Sequence, residues 1–246
     1  MKRFFLSPGA VQGRRMVFLG KDARYIHKVL RLRRGDVIIG FDGGGVEYTG
    51  MIAILSPKRV EAVITGSAHV DELPSCRVAL AQALLKGGGL DGVIRQATEL
   101  GISEFYPLAT RYCIPRVKKD GEKRLERWRK IAIDAVRQSG RTENPVIHPV
   151  RGWREFLLLA DEFDLSLLPW EGEKDRTLKS VLAGIMDGRR PGRILIAIGA
   201  EGGFTDTEVE EAVQAGFRAV SLGKSVLRAT TAGIATVACV QYELRE

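Results

Sequence analysis

The sequence has little cysteine and no metal-binding pattern. Its 246 residues contain three cysteines, Cys76, Cys113 and Cys239, and none of them belongs to a C-x-x-C pair. An odd number of widely spaced cysteines indicates neither a disulfide framework nor a zinc site. The three histidines also lie far apart, without the i, i+4 spacing of a helical metal pair. We therefore expect reduced thiols and no bound metal.

Long apolar runs are missing too. No stretch of 18 apolar residues is present, and the basic N-terminal segment is not followed by the apolar stretch of a secretory signal. Only 9 prolines occur, and the hydrophobic share of 45% and charged share of 28% are those of an ordinary globular chain. These features exclude collagen and a disordered tail. We expect a cytoplasmic protein with no membrane segment.

Positive charge is abundant and unevenly distributed. The formal net charge is +8, and residues 1–70 hold 12 Lys and Arg against 5 Asp and Glu. Residues 111–141 hold 11 against 4, so the rest of the chain carries a net negative charge. Two basic blocks on such a background are typical of a protein that contacts phosphate backbones. The alternative is that these residues only solvate the surface.

The first 70 residues predict a small β-barrel with one helix. Short apolar runs at 16–19, 36–41, 48–55 and 59–65 are separated by turn signals such as FDGGG and SPK. Asp22 can cap a helix that runs to Leu32, with Tyr25, Ile26, Val29 and Leu30 on one face. Residues 67–75 lack periodicity and suit a linker. We expect one domain over 1–70 and a second over 71–246.

The second domain predicts an α/β fold with a parallel sheet. Strand-like runs at 78–85, 105–108, 146–150, 164–168, 194–199 and 219–222 alternate with helical patterns near 90–100, 122–139, 177–186, 207–215 and 229–243. Thr205 and Glu208 form a capping box, and Gly216 suits the end of that helix. The last helix is nearly all apolar, so either the sheet or a second subunit must cover it.

Three stretches are candidates for a ligand site. Gly87, Gly89 and Gly92 fit G-x-G-x-x-G, which leaves an NADP-dependent reductase open, with Arg111 as the phosphate ligand. The second stretch, IAIGAEGGFTDTE at 196–208, is typical of a ligand loop between a strand and a capped helix. The third runs over 220–235 and contains Arg228, which suits either a buried ion pair or an anion anchor.

Taken together, these residues resemble a known family. The chain is similar to the RsmE family of small-subunit (16S) ribosomal RNA uridine N3-methyltransferases, within the SPOUT superfamily. The resemblance is carried by RFFL at 3–6, HKVLRLRRGD at 27–36, FDGGG at 41–45, ATELGISEFYPL at 97–108, KRLERWRKIAIDAVRQSGR at 123–141, IGAEGGF at 198–204 and SLGKSVLR at 221–228.

The resemblance implies an N-terminal PUA-like β-barrel and a C-terminal SPOUT α/β domain tied in a trefoil knot. It also implies S-adenosyl-L-methionine as cofactor, a homodimer, and ribosomal RNA as partner, in the assembled small subunit. The cofactor loops it implies lie at three places in the chain: Leu168, Pro169 and Trp170; Gly199, Glu201, Gly202 and Gly203; and Leu222, Gly223 and Leu227.

For catalysis, the resemblance and the chemistry together point to Arg228. The N3 nitrogen of uridine is protonated at neutral pH, so the site must remove that proton or stabilise the resulting anion. We expect Arg228, or a basic residue of a partner subunit, to stabilise the anion.

The resemblance and the charge distribution jointly favour a set of RNA-contacting residues. They are Arg3, His27, Lys28 and Arg31 in the first domain, and Lys86, Arg95, Gln96, Arg111, Gln138 and Arg141 in the second.

The chain departs from the family pattern at four places. Ala200 stands where the family has proline, Thr230 where it has glutamate, Arg137 where it has glutamate, and Gly88-Gly89-Leu90 replaces an acidic-basic-Met sequence. The change at 230 keeps a second function open, an RNA-binding or ribosome-assembly factor of the same fold with altered catalysis.

Overall fold

A computed structural model describes residues 2–7, 9–42, 45–69, 76–113, 121–141, 143–186 and 190–244. The chain divides into two compact units, one of residues 1–73 with 136–144 and one of residues 74–135 with 145–246. None of the helices within the described residues is long and apolar enough to cross a membrane.

The first unit contains a mostly antiparallel sheet of six strands. These are β1 (Lys2–Phe5), β2 (Val11–Gln12), β3 (Arg15–Leu19), β4 (Val37–Phe41), β5 (Val46–Leu55) and β6 (Arg59–His69). They lie in the order β1-β4-β5-β6-β3-β2, and only β1 and β4 pair in parallel. The predicted runs correspond to β3, β4, β5 and β6. The sequence prediction missed β1 and β2, which are too short to show alternation.

The helix of the first unit differs from its prediction. Helix α1 (Gly20–Arg24) begins two residues before Asp22 and has no side-chain cap, and the chain continues as a π-helix over Tyr25–Val29. The expected cap at Asp22 is therefore wrong, because this residue already lies in the first turn. Only part of the expected apolar face is buried: Ile26 is fully buried, whereas Tyr25 is 49% and Val29 62% exposed.

The second unit is an α/β fold with an all-parallel sheet, as the alternating pattern predicts. Its strands are β7 (Arg77–Ala83), β8 (Glu104–Ala109), β9 (Val146–Ile147), β10 (Arg151–Gly152), β11 (Leu165–Pro169), β12 (Arg193–Ile198) and β13 (Phe217–Val220). The order is β10-β8-β7-β12-β11-β13, with β9 also paired to β8. Strands β7 and β12, in the middle, are buried along nearly their whole length.

The helices that follow β7 in the chain are α2 (Gly89–Leu100), α3 (Gly121–Ser139), α4 (Trp153–Leu157), α5 (Leu178–Met186), α6 (Asp206–Gln214) and α7 (Ala229–Leu244). The capping box of Thr205 and Glu208 is present, and Gly216 follows α6 with a φ of 95°. Helix α4 was not predicted, because one and a half turns carry too little periodicity. Trp153 and Phe156 nevertheless bury its inner face.

Helix α7 is covered on one side by its own chain. It packs against α2, α5, β7 and β12, and Val237, Val240 and Leu244 lie in the core. On the other side Cys239 is exposed and Tyr242 is 82% exposed. The sheet and the neighbouring helices therefore cover part of the apolar surface of α7.

A charged network lies near the amino ends of β8 and β12. Glu104 Oε1 accepts a hydrogen bond from Arg193 at 3.0 Å, and its Oε2 accepts one from the Tyr106 hydroxyl at 2.6 Å. His148 Nε2 lies 3.0 Å from the same Oε2 atom, and its ring stacks on Tyr106 with centroids 4.0 Å apart. The hydrogen bond with His148, followed by those from Tyr106 and Arg193, outweighs burial and lowers the pKa of Glu104 to about 2.

We predict that Glu104→Gln destabilises the protein in a pH-dependent way. Because the pKa of Glu104 is lower in the folded than in the unfolded chain, its charge stabilises the fold above the ordinary pKa of 4.5. That stabilisation, on the order of 2 kcal/mol, is lost as the pH falls toward the folded value.

Urea unfolding at pH 7, 5 and 3.5 measures this effect. The stability difference between wild type and Glu104→Gln should be full at pH 7 and shrink at pH 3.5. The same change at the exposed Glu99 is the control. A difference independent of pH would contradict an ionised Glu104 as its source.

Candidate functional site

A cavity of about 640 Å³ lies beyond the carboxyl ends of the central strands of the second unit. Parallel strands bring their carboxyl ends to one edge of the sheet, where ligands of such folds bind. The segments after β7, β11 and β12 line this cavity together with the start of α7. The lining residues are Leu85, Lys86, Gly89, Pro169, Glu171, Ile198 to Phe204, Val226 to Thr230, and Ala232.

A smaller cavity of about 100 Å³ adjoins it. The two share Pro169, Glu171, Val226, Leu227 and Ala232 in their linings. The smaller one is also lined by Trp170 and by residues 221–225, which follow β13. The second and third stretches singled out in the sequence therefore meet at one continuous site.

The turn after β12 requires glycine at its first position. A Cβ atom at Gly199 would lie 2.7 Å from the backbone carbon and oxygen of Gly203. The N–H of Gly203 donates to the carbonyl of Ala200 at 3.0 Å, which closes the turn. Because the clash is with backbone, no side-chain movement relieves it. Glycine at 199 thus permits the folded-back shape of the cavity wall.

A buried glutamine connects this turn to two other elements. Gln82 lies in β7 with no exposed surface, and its Nε2 donates to the carbonyl of Gly199 at 3.0 Å. Its Oε1 faces α7, since a Cβ at Gly233 would lie only 2.9 Å from that atom. Gln82 therefore fixes the turn by a hydrogen bond and packs against α7 at Gly233.

Two carboxylates line the larger cavity. Glu201 Oε1 accepts a hydrogen bond from the backbone N–H of Lys86 at 2.9 Å. Glu171 lies against the turn, because a Cβ at Gly203 would be 2.8 Å from its Oε1. Carboxylates beside a cavity favour a ligand that carries positive charge.

A third carboxylate fixes the end of β8 to the start of α6. Glu208 is 6% exposed, and its Oε1 accepts a hydrogen bond from the backbone N–H of Arg111 at 2.8 Å. Its Oε2 accepts hydrogen bonds from the N–H and hydroxyl of Thr205 at 3.0 and 3.1 Å. The segment after β8 is thereby held beside the turn that precedes α6.

Arg228 stands at the start of α7. Its carbonyl accepts the first helical hydrogen bond, from the N–H of Ala232 at 2.8 Å, and its side chain is exposed at the cavity. The buried ion pair considered from the sequence is therefore wrong for this residue. Thr230, which replaces the glutamate of the family pattern, lines the same cavity.

The structure brings together nearly all the residues predicted to bind the cofactor. Pro169, Gly199, Glu201, Gly202, Gly203 and Leu227 line the larger cavity, and Pro169, Trp170, Leu222, Gly223 and Leu227 line the smaller one. Leu168 is the exception, since its side chain is fully buried in the core and lines neither cavity. Leu168 could therefore contact a ligand only through its backbone. That the other residues contact the cofactor stays a prediction.

The predicted RNA-contacting residues of the second unit that lie nearest the site are Lys86 and Arg111. Lys86 lines the larger cavity, and Arg111 is exposed at the end of β8. Arg95 and Gln96 are exposed on α2.

In the first unit, Arg3 is engaged within the protein. Its guanidinium donates to the Gly140 carbonyl at 2.5 Å, pairs with Glu47 and lies over the ring of Phe41. These contacts within the protein explain the position of the Arg3 side chain without any contact to RNA. Of the other residues predicted in the first domain, Lys28 and Arg31 are exposed and His27 is half-buried. Gln138 and Arg141, which were predicted in the second domain, belong to the first unit, where Gln138 is exposed and Arg141 is half-buried. Their contact with RNA stays a prediction.

The sequence analysis overlooked Tyr112 and Glu171. Tyr112 follows Arg111, is 49% exposed, and lies against the turn, where a Cβ at Gly202 would be 3.1 Å from its Cγ. The sequence alone could have indicated Tyr112 as a candidate site residue, because it is an aromatic residue that directly follows an arginine at the end of a strand. Glu171 offered no comparable signal, because its place beside the turn depends on the tertiary fold.

The G-x-G-x-x-G stretch adjoins the cavity of the glycine turn. Gly87 and Gly88 form a tight turn with φ of 59° and 79°, and α2 begins at Gly89. Gly89 lines the same cavity as the turn after β12. Among the described residues, no group of three or more His, Cys, Asp or Glu side chains is placed to hold a metal ion.

Comparison with known proteins gives consistent matches. Residues 71–241 match the model of an RNA methyltransferase domain, and residues 18–65 match that of an RNA methyltransferase PUA domain. The chain is 37% identical to ribosomal RNA small subunit methyltransferase E of Synechocystis sp., over 88% of this chain and 69% of the relative. It is 31% identical to the protein of that name from Bacillus subtilis, over 91% of this chain and 88% of the relative.

A solved structure matches across both units. It is a ribosomal RNA small subunit methyltransferase E from Neisseria gonorrhoeae bound to S-adenosyl methionine. The TM-score is 0.83 at 33% identity, covering 98% of this chain and 97% of the other.

We predict that Gly199→Ala destabilises the second unit. The added methyl group meets the backbone of Gly203, and overpacking of this kind costs about 1–3 kcal/mol. Gly92→Ala is the matched control, because it lies within α2 with nothing within 4 Å of the new atom. That change should be neutral or stabilising by up to about 1 kcal/mol. Thermal unfolding of both variants measures the effect, and equal Tm values would contradict the tight turn.

Proposed function

The chain belongs to the ribosomal RNA small subunit methyltransferase E family, and we propose that it methylates N3 of one specific uridine in 16S ribosomal RNA. Its relatives and the S-adenosyl methionine-bound neighbour establish the coarser function: it is an S-adenosylmethionine-dependent methyltransferase of small-subunit ribosomal RNA. The choice of uridine N3 rests on the resemblance of the sequence motifs to those of the family.

The observation that carries the proposal is the meeting of two segments in one cavity. The turn over residues 199–204 and residues 226–230 line the same space of about 640 Å³, which lies within the range of small-molecule sites. Glu171 and Glu201 suit the positive sulfonium and amine groups of S-adenosylmethionine, and the close-packed glycines leave backbone groups open to the adenine. When bound, this cofactor supplies an electrophilic methyl group.

The residues of the chain then have distinct tasks. The two cavities would hold the cofactor through Pro169, Leu222, Leu227 and the glycine turn. Arg228 stabilises the uridine anion that forms when N3 loses its proton. S-adenosylmethionine would supply the methyl group that bonds to N3 and would leave as the neutral thioether, and the N3 proton would pass to bulk water. Alignment of the reacting atoms supplies much of the acceleration.

The alternative functions receive less support. The comparisons do not favour a factor with altered catalysis, and the cavity keeps two carboxylates although Thr230 replaces the glutamate of the family pattern. A reductase would need a separate dinucleotide site at Gly87 to Gly92, but Gly89 lines the cavity of the glycine turn.

We also propose that residues 1–70 close into a PUA-like barrel. Strands β1 and β2 are consecutive in the chain but lie at opposite edges of the sheet. The edges of a flat six-stranded sheet lie about 24 Å apart. The short connection between the two strands reaches at most about 20 Å. This mismatch supports a curved, barrel-like sheet.

For residues 71–246 we propose a trefoil knot. The chain places β12 on one side of β11 and β13 on the other, and α7 then returns to pack against β12 and β7. The connection from β13 to α7 therefore crosses the end of β11, where Trp170 and Glu171 begin the loop that leads to α5. This crossing supports a knot that contains the cofactor cavity.

We further propose a homodimer that acts on the assembled small subunit in the cytoplasm, where ribosomal RNA is the substrate. An apolar groove of about 750 Å³ lies between α5 and α7, and its lining includes Leu182, Ala238 and Tyr242. Leu222 and Leu227 line both this groove and the smaller cofactor cavity. A second copy on the groove would therefore place residues beside the cofactor.

Two measurements test the proposed function. Isothermal titration should show binding of S-adenosylmethionine and no binding of NADPH, in wild type and in Gly92→Ala alike. Mass spectrometry of 16S ribosomal RNA from a deletion strain should show the loss of one 3-methyluridine. Binding of NADPH alone would overturn the account, and an unchanged RNA would indicate a non-catalytic factor.

We predict that Arg228→Ala lowers kcat by about 100- to 1000-fold with cofactor and RNA saturating, because one charge-stabilising donor is removed from the transition state. Arg228→Lys should recover part of the rate, and the affinity for S-adenosylmethionine should change little. Unchanged turnover of Arg228→Ala would exclude it as the anion-stabilising residue.

The dimer proposal predicts that Tyr242→Glu separates the two copies. A charge in the centre of an apolar interface is unfavourable once water is excluded. Analytical ultracentrifugation at micromolar concentration should show a dimer for wild type and a monomer for the variant. A monomeric wild type would contradict a shared site.

A further inference from the structure

Tyr112 is an exposed aromatic residue beside the larger cofactor cavity. It follows the end of β8, and it is 49% exposed. A Cβ atom at Gly202 would lie 3.1 Å from its Cγ, 3.2 Å from its Cδ2 and 3.3 Å from its Cβ. A side chain at 202 would therefore press on the ring, and glycine at this position lets the ring lie directly against the turn.

Both residues that flank Tyr112 are anchored to other elements. The backbone N–H of Arg111 donates to Glu208 Oε1 at 2.8 Å, and Glu208 lies in the first turn of α6. The thiol of Cys113 donates to the carbonyl of Leu84, directly after β7, at 3.4 Å. Because the segment is fixed on both sides, the ring loses little conformational freedom when it meets a ligand.

A second tyrosine of this region shows what a structural role looks like. Tyr106 is 3% exposed, its hydroxyl donates to Glu104 at 2.6 Å, and its ring stacks on His148 with centroids 4.0 Å apart. Within the described part of the chain, no ring–ring or cation–ring contact involves Tyr112. The fold therefore uses the ring of Tyr106 internally and leaves much of the ring of Tyr112 at the surface.

We propose that Tyr112 stacks on the base of a ribosomal RNA nucleotide next to the target uridine. An enzyme that acts on a base takes it out of its stack, and the bases of unpaired RNA pack on aromatic side chains of proteins. A tyrosine offers such a base a rigid apolar face. This inference rests on the proposed function and deepens it by naming a residue that recognises the RNA.

The position of Tyr112 favours a neighbouring base over the target itself. The target must reach the methyl group inside the larger cavity, which Gly202 lines and Tyr112 does not. Tyr112 adjoins that cavity through its contact with Gly202. Arg111, which is exposed directly before Tyr112, supplies a cation for the phosphate backbone at the same place. A strand whose target base enters the cavity can therefore lay its next base on Tyr112.

The test compares Tyr112→Leu and Tyr112→Phe with wild type. Leucine keeps an apolar side chain but removes the aromatic face, whereas phenylalanine keeps the face and removes only the hydroxyl. Leu158→Ala is the control, because it shortens another apolar side chain that is 78% exposed and lines neither cofactor cavity. The probe is the small ribosomal subunit isolated from a deletion strain, and its Kd is measured from about 50 to 200 mM KCl.

Loss of stacking should raise the Kd of Tyr112→Leu for the subunit about 5- to 100-fold. The KM for the subunit should rise by a similar factor, and kcat should fall much less. Tyr112→Phe and Leu158→Ala should bind like wild type. Because no charge is removed, Tyr112→Leu should keep the wild-type slope of log affinity against log salt, whereas a lost phosphate contact would reduce that slope by about 0.7–0.9.

Three outcomes would overturn the proposal. If Tyr112→Leu binds the subunit as well as Leu158→Ala does, Tyr112 does not contact the RNA. If Tyr112→Phe is as weak as Tyr112→Leu, the hydroxyl and not the aromatic face makes the contact. If the salt slope falls, the effect is electrostatic. A wild type that fails to methylate the subunit would instead count against the proposed function.

Two further measurements guard against an indirect effect through the glycine turn. Isothermal titration of each variant with S-adenosylmethionine should match wild type, and a weaker affinity in Tyr112→Leu would assign Tyr112 to the turn rather than to the RNA. Tyr112→Met, a second replacement without an aromatic face, should weaken subunit binding as Tyr112→Leu does. Wild-type binding by Tyr112→Met would contradict stacking.

Discussion

The site depends on a single buried amide. Gln82, in the middle strand of the parallel sheet, donates to the carbonyl of Gly199 and places its oxygen against α7 at Gly233. Positions 199 and 233 both favour glycine. A Cβ at Gly199 would collide with the backbone of Gly203, and a Cβ at Gly233 would collide with the amide oxygen of Gln82. The turn that follows β12 and the helix that follows β13 are far apart in the chain. The Gln82 side chain contacts both, by a hydrogen bond to the turn and by packing against the helix at Gly233, and both segments line the cavity.

The two ends of the sheet serve different purposes. At the amino ends, Glu104, Tyr106, His148 and Arg193 satisfy one another, so their charges contribute to stability. At the carboxyl ends, Arg228 is exposed at the cavity and Glu171 faces it, ready to meet a ligand. Polar groups that are internally paired stabilise a fold, whereas groups turned toward a cavity act on what enters it.

Much of this architecture is predictable from the sequence because the signals are local. The strand and helix alternation of the second unit, the capping box at Thr205 and Glu208, and the glycine loop after β12 each follow from neighbouring residues. The family motifs then assign the loops to one cofactor. The helix near Asp22 was misplaced because its start lacks a side-chain cap, and its turn widens into a π-helix that no spacing rule anticipates. Tyr112 and Glu171 were missed because only the tertiary fold brings them against the glycine turn.

The central claim is that the glycine turn over 199–204 and the segment leading into Arg228 form one pocket for the methyl donor. A crystal structure of the protein soaked with S-adenosylmethionine tests this most directly. The account predicts electron density for the donor between these two segments, with its adenine near Leu222 and Leu227. Density at Gly87 to Gly92 alone, or a structure in which the two segments lie apart, would contradict it.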